Sequence, residues 1–312
     1  MVKEATHWGV IYCPKEGSRK TRKRWENIKR YLETKNVSFD YIQSEGYGSV
    51  VRLAAMMVAN GYRTIVIVGG DAALNDALNG IMQQGWNALA DVTLGIIPNG
   101  LGNDFARFWG FDEKNYKQTI DWLLQRRVRL VDVGVCKYVC EEKRGVSYFL
   151  DCVNVGLVAS IMSIRRKTRS FWGVAMLSYL SSAFLLLFQR MEYKMRISVN
   201  EDELQKKIMT VCVGSAHGYG QTPNAVPYNG LLDVSIVSHP ELRQLIEGLW
   251  LLFSGRFLNY KNVKSYRTRA VRFGALGKAK VSLDGRVMRD QVDSIEISIQ
   301  QEKLNLIIPS FP

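Results

Sequence analysis

The sequence predicts an α/β fold: an N-terminal Rossmann-like three-layer domain around a parallel sheet, then a β-sandwich-like C-terminal domain. Three observations predict it. Strand-like and helical patterns alternate as far as Leu130, two glycine-rich segments each follow a strand-like run directly, and beyond Leu130 strand-like segments dominate. The chain divides at that point, with 1–130 as an α/β domain and 131–312 as a β-rich domain. A return of the last strand to the first domain stays open.

Taken in order, Trp8–Tyr12 is a short aromatic and β-branched run, and Trp25–Leu32 carries helical spacing. Ser38–Ile42 reads as a strand and Val50–Val58 as a helix. Thr64–Val68 is a continuous apolar run, the mark of a strand buried on both faces. Asp71–Met82 places Leu74, Leu78, Ile81 and Met82 on one helical face. Val92–Ile97 is a second apolar strand and Lys117–Leu124 a further helix. The second half predicts strands at Leu130–Val135, Ser147–Leu150, Met195–Val199, Ile208–Val213, Leu232–Val237, Ala279–Leu283, Ser294–Ile299 and Leu304–Ile308. Two helical insertions interrupt them. Glu241–Phe253 is amphipathic, and Phe171–Phe188 is uncharged but carries Gly173 and several hydroxyl side chains. The second reads as a buried helix, with a helix lying on a membrane surface or spanning it as alternatives.

The chemistry concentrates at the glycine segments. Ile65–Val68 runs into Gly69 and Gly70, and a helix starts at once with Asp71, Ala72 and Ala73. Pro98-Asn99-Gly100-Leu101-Gly102-Asn103-Asp104 follows the next apolar strand. A strand, a glycine turn and a helix start bring bare backbone N–H groups to an anion, and the helix dipole favours it. Ligands of such sheets bind beyond the carboxyl ends of the strands, where both loops lie. Singly, these residues have plainer readings: Asp71, Asn103 or Asp104 as helix N-caps, Gly100 and Gly102 as turn glycines, Asp284-Gly285 as a hairpin turn.

The ordered set resembles the diacylglycerol-kinase-type lipid kinases, which share a fold with NAD kinases and sphingosine kinases. Their first loop usually reads Gly-Gly-Asp-Gly-Thr and their second Pro-x-Gly-Thr-Gly-Asn-Asp, and the second loop disfavours an NAD kinase. Cys13-Pro14-Lys15-Glu16-Gly17 sits where the family has Asn-Pro-x-x-Gly. Asn229-Gly230-Leu231-Leu232-Asp233-Val234 matches Asp-Gly-Leu-Leu-Asp-Val, and Leu283-Asp284-Gly285-Arg286 matches Leu-Asp-Gly-Glu. The resemblance implies the NAD kinase/diacylglycerol kinase-like fold, ATP and Mg²⁺ as cofactors, and a lipid hydroxyl as phosphoryl acceptor. Carried over singly, it implies nucleotide binding by Ser44, Gly69, Gly70, Asp71, Ala72, Ala73, Leu74, Asn75, Asp76, Gly100, Leu101, Gly102, Asn103 and Asp104. It implies metal binding by Val226, Asn229 and Leu231, and catalysis at position 286, with Asp71 or Asp284 as substitute bases.

Five of those positions depart from the family pattern. Ala72 replaces a glycine, which strains the backbone if that position has φ > 0. Ala73 and Leu101 replace phosphate-binding threonines; a lost hydroxyl-to-phosphate bond is worth roughly 1.5–3 kcal/mol. Asn229 replaces an aspartate, which keeps an oxygen ligand but removes its charge. Arg286 replaces the catalytic glutamate, and a guanidinium has five donors and no acceptor. The expected function is a lipid kinase family member whose catalysis is weak, altered or lost. The alternative is a non-catalytic lipid- or anion-binding relative, a pseudokinase.

Composition agrees with a polyanionic partner. Forty-two Lys and Arg against 29 Asp and Glu give a net charge of +13, clustered at Arg19–Arg24, Arg165–Arg169 and Lys261–Arg272. No aromatic-basic strand motif or helix-turn-helix spacing supports nucleic acid. The resemblance implies a lipid substrate and the charge an anionic membrane surface as partners, with a homodimer open. Five scattered cysteines fit a reducing compartment, and Met1–Ala5 lacks the apolar core of a signal peptide. These point to a cytoplasmic protein that associates peripherally with membranes.

Overall fold

The structure, a computed structural model, describes residues 7–14, 19–46, 48–100, 103–163, 193–238, 247, 251 and 256–310. Leu101, Gly102, Arg165–Arg169, the insertion Phe171–Phe188 and most of Glu241–Phe253 lie outside the described residues. Two compact units divide the chain: Met1–Val133 with Gln301–Pro312, and Gly134–Gln300.

The first unit contains β1 (Trp8–Tyr12), α1 (Arg19–Thr34), β2 (Phe39–Gln43), α2 (Ser49–Ala59), β3 (Thr64–Gly69), α3 (Asp71–Met82), α4 (Gly85–Asp91), β4 (Thr93–Pro98), α5 (Asp104–Phe108) and α6 (Tyr116–Gln125). β5 (Val128–Cys140) leaves it. The second unit continues with β6 (Lys143–Phe149), β7 (Cys152–Gly156), β8 (Tyr193–Val199), β9 (Asp202–Gly214), β10 (Leu232–Ser238), β11 (Val263–Thr268), β12 (Ala270–Ala275), β13 (Val281–Leu283) and β14 (Arg286–Val287). β15 (Ser294–Ile307) then carries the chain back into the first unit.

In the first unit β2, β1, β3, β4 and the end of β15 pair in parallel, in that order. β3 and β4 are buried along their whole length, as their continuous apolar runs require. One core cluster joins Trp8, Val10, Val66, Val68 and Ile97 of the sheet to Trp25, Ile28 and Leu32 of α1 and Ile120 and Leu123 of α6. Helix α3 packs on α2 with no room to spare: a Cβ on Gly80 would collide with the Val51 carbonyl oxygen and lie 3.0 Å from the Ala54 Cβ. Gly80→Ala is therefore expected to cost roughly 1–3 kcal/mol of stability despite the better helix propensity of alanine, measured as a lower urea midpoint.

In the second unit the pairing is antiparallel, running β14–β13–β7–β9–β8–β12–β15, with β10 and β11 added at β9 and β6 on β5. Its core gathers Phe149, Val153, Val155, Val213, Leu232, Val234, Phe273, Val281 and Leu283. The α/β fold with a mostly parallel N-terminal sheet and a β-sandwich-like C-terminal unit is thus as the sequence predicts.

Several elements differ from the sequence reading. Ser294–Ile299 and most of Leu304–Ile308 form one strand, β15, because the exposed polar stretch Gln300–Lys303 stays within it. Within it Glu302 takes φ 52°, and its N–H donates to Asp132 Oδ1 at 2.9 Å. β11 and β12 were hidden by the cations within them, Lys264, Arg267 and Arg272, and β7 by its Asn154 and Gly156. The five cysteines are free thiols. Burial pushes the Cys136 thiol up to about 12, which makes it an inert core residue rather than a ligand.

Candidate functional site

Parallel register brings the carboxyl ends of β1, β2, β3 and β4 side by side, and backbone bonds lace them together. Cys13 N donates to Val68 O at 2.9 Å, Ser44 N to Tyr12 O at 2.8 Å, and Asn99 N to Gly69 O at 2.8 Å. The two glycine loops meet backbone to backbone. A Cβ on Gly100 would stand 2.6 Å from Gly70 Cα and 3.1 Å from Asn103 Oδ1, so a larger residue would part the loops. A Cβ on Gly69 would similarly meet the Ala73 Cβ at 2.9 Å. Helix α3 starts at Asp71, with Gly70 as its cap, so the positive end of its dipole opens at this junction.

Asp71 is buried and does not cap its own helix. Its Oδ2 accepts the Asp104 N–H at 2.7 Å, which caps the start of α5 instead. Asn103 stands at the N-cap position of α5 but its side chain makes no capping bond: its Nδ2 donates to Gly100 O at 3.1 Å and to Glu113 Oε2 at 3.3 Å, and its Oδ1 accepts from Gly100 N at 3.3 Å. Arg24 of α1 donates from Nη1 to Asn99 Oδ1 at 3.3 Å and stands 4.0 Å from Glu113 Oε2. The Asn99 Nδ2 is buried and has no hydrogen-bond partner among the described residues. The Arg24–Glu113–Asn99 cluster was visible in the sequence only as one cation within a basic run. Ala72 lies in the first turn of α3 and is not among the positive-φ residues, so the strain expected of an alanine there is absent. Leu74 is a core side chain and its N–H goes back to Gly70 O at 3.1 Å, while Asn75 and Asp76 are buried on the same helix.

In the second unit, the loop before β10 closes on itself. Tyr228 N donates to Val226 O at 2.8 Å, and Leu231 N to Asn229 Oδ1 at 2.9 Å. Asp284 and Gly285, with φ 44° and 82°, make the two-residue turn between β13 and β14, where Leu283 pairs with Arg286. Asp284 does more than turn the chain. Its carboxylate, 2% exposed, accepts three backbone N–H groups: Leu150 at 2.8 Å, Asp151 at 2.9 Å and Cys152 at 2.8 Å. Arg286 follows, half-buried, as the first residue of β14.

Residues 7–136 match the diacylglycerol kinase catalytic domain, and residues 151–307 match the YegS C-terminal NAD kinase beta sandwich-like domain. The chain belongs to the diacylglycerol-kinase-type lipid kinase family. Among relatives of this lipid kinase family member, a protein of Chromohalobacter salexigens named "Probable lipid kinase YegS-like" is 30% identical over 69% of this chain and 68% of its own. A diacylglycerol kinase of Mycobacterium tuberculosis is 25% identical over 70% of this chain and 69% of its own. A crystal structure of a diacylglycerol kinase from Bacillus anthracis str. Sterne shares the fold, with a TM-score of 0.66, 15% identity and 97% of both chains covered.

Membership implies ATP and a divalent metal in general terms. The glycine cradle fits a phosphate group: Gly70 and Gly100 leave the backbone bare, and the buried Asn99 amide brings an uncommitted donor. Ala73 offers no hydroxyl. The Val226, Asn229 and Leu231 set is a weakened site for a divalent cation, because it holds no carboxylate and two of its oxygens already accept N–H groups of the same loop. Among the described residues no helix is long and apolar enough to cross a membrane.

Proposed function

We propose that this lipid kinase family member has weak, altered or lost phosphoryl transfer, with the old nucleotide loops retained as an anion-binding surface. Bound ATP would supply the γ-phosphoryl group, and transfer would need a carboxylate to take the proton of the attacking hydroxyl. The observation that carries the reading is the commitment of Asp284 to three backbone N–H groups. Those bonds favour a fixed structural anion over a proton acceptor. Asp71 accepts the Asp104 N–H, and Arg286 offers donors alone. On the binding side, the first turn of α3, the Asn99 amide and the Arg24 guanidinium all favour negative charge.

Calorimetry with ATP, with and without Mg²⁺, tests this. ATP is expected to bind weakly, because two missing hydroxyl contacts at roughly 1.5–3 kcal/mol each reduce affinity by more than about a hundredfold if additive. Arg24→Ala is expected to weaken that binding further by roughly tenfold, the lower range for one charge-assisted bond. Low-micromolar binding unaffected by Arg24→Ala would argue for an intact, differently built kinase site.

For its partner, the same reading takes an anionic membrane surface and places the protein in the cytoplasm. Exposed Lys194 and Lys207 face each other across β8 and β9, with exposed Arg196 two residues along. Cations gathered on one exposed face attract an anionic surface. Sedimentation with anionic vesicles at low salt, lost at high salt, is the expected result, at about 1 kcal/mol per cation near the surface. Equal binding to neutral vesicles would exclude it.

A further inference from the structure

A cavity of about 330 Å³ opens on the outer face of the β9–β10–β11 ribbon, at the low end of small-ligand pockets. The strand register sets its floor. Asp233, Ser235 and Val237 alternate with the core residues Leu232, Val234 and Ile236, and so share the opposite face of β10. Across on β11 their partners are Arg267, Ser265 and Val263. The face therefore runs in three steps: an ion pair, two facing serines, then two valines. The valine end is closed, because Val237 packs with Leu251, Phe257 and Tyr260, with Val263 against them.

The walls are already fixed. Arg267 Nε donates to Asp233 Oδ1 at 2.7 Å and Nη2 to Asp233 Oδ2 at 3.1 Å, and Nη2 also reaches Asn224 O at 3.2 Å. Thr222 Oγ1 donates to Ala216 O at 2.8 Å, and Gln221 Nε2 to Asn154 Oδ1 at 3.0 Å. The two floor hydroxyls are different. Ser235 is fully buried, lines the cavity, and its Oγ has no hydrogen-bond partner among the described residues. Ser265 stands opposite it in register, and the two do not bond to each other.

Charge narrows what fits. The Arg267 guanidinium is held by its own carboxylate, so the site carries no net charge to attract a phosphate. Hydroxyls both donate and accept, and two serines opposite each other match a ligand with two neighbouring hydroxyls. We propose that this cavity binds a neutral polyhydroxyl group, recognised by Ser235 and Ser265 on the floor and framed by the Asp233–Arg267 pair. The source is a free polyol or the polyol head of a lipid. All its residues lie within the second unit, so its failure leaves the reading of the glycine loops standing.

The test is ligand-observed NMR on the full chain with glycerol and, separately, with 1-octanoylglycerol kept monomeric. Binding of glycerol assigns a free polyol, and binding of 1-octanoylglycerol alone assigns a lipid head; either supports the proposal. Ser235→Ala with Ser265→Ala is expected to lower the affinity at least about tenfold, as loss of both ligand-binding hydroxyls does. Its melting temperature should hold or rise, since the changed hydroxyls have no partner to lose. Ser265→Ala alone, at an exposed position, repeats the test with no burden on folding. The proposal is overturned if the parent protein binds neither probe, if the double variant binds as well as the parent, or if inorganic phosphate displaces the polyol.

Discussion

Ala73→Thr, Leu101→Thr and Arg286→Glu together are expected to raise γ-phosphate transfer to diacylglycerol by roughly 10²–10⁴ over the parent chain, the usual contribution of a positioned base. Arg286→Glu alone is expected to add little, because a base cannot act on a nucleotide that does not stay bound. The hairpin supports the change locally. Leu283 pairs with Arg286 across a two-residue turn, so position 286 is set by backbone register rather than by the arginine itself. At the first loop, Ala73 sits in the first turn of α3 with its N–H on Gly70 O at 2.9 Å, and a threonine there restores a hydroxyl without altering that bond. The substitution Ala72→Gly has no place in the set: Ala72 has helical geometry, and glycine would cost about 1 kcal/mol of helix stability. Transfer in mixed micelles is the measurement. Brisk turnover by the unchanged chain would mean that another carboxylate serves as base and that catalysis is intact.

The first unit was the more legible half, and the reason is physical. Val66–Val68 and Ile96–Ile97 are buried on both faces, so their strands appear as unbroken apolar runs ending at glycines. Leu74, Leu78 and Ile81 lie on the buried side of α3 and mark the helix by spacing. In the second unit strands such as β8 and β12 bury alternate residues only, and long exposed side chains on the other face blur the pattern. Lys264, Arg267 and Arg272 read as a charge cluster, whereas they stand within the strands β11 and β12 and pair with Asp202, Asp233 and Glu296. At the site, glycines and acids were legible because they stand in sequence motifs. Their partnerships were not. That Asp71 serves Asp104, that Arg24 reaches Asn99, and that Ser235 faces Ser265 are contacts across 33, 75 and 30 residues, decided by strand order alone.

Asp284→Ala is expected to cost about 3–5 kcal/mol, enough to unfold the second unit or bring it near threshold. Three backbone N–H groups, from Leu150, Asp151 and Cys152, converge on one buried carboxylate that lies more than a hundred residues away in sequence. Alanine leaves all three without an acceptor at a site water barely reaches, and each bond to a charged group is worth roughly 1.5–3 kcal/mol, not fully additive. Asp284→Asn keeps one oxygen but turns an NH₂ toward a backbone donor, so an intermediate loss is expected. Urea unfolding, followed by a probe of the second unit, measures the order Asp > Asn > Ala. The comparison also separates two roles for this side chain. A general base replaced by asparagine loses its rate and leaves the unfolding midpoint where it was. A structural anion moves the midpoint whether or not any lipid is phosphorylated. Midpoints that coincide for the parent chain, Asp284→Asn and Asp284→Ala would make the three N–H bonds incidental and return Asp284 to the candidate bases.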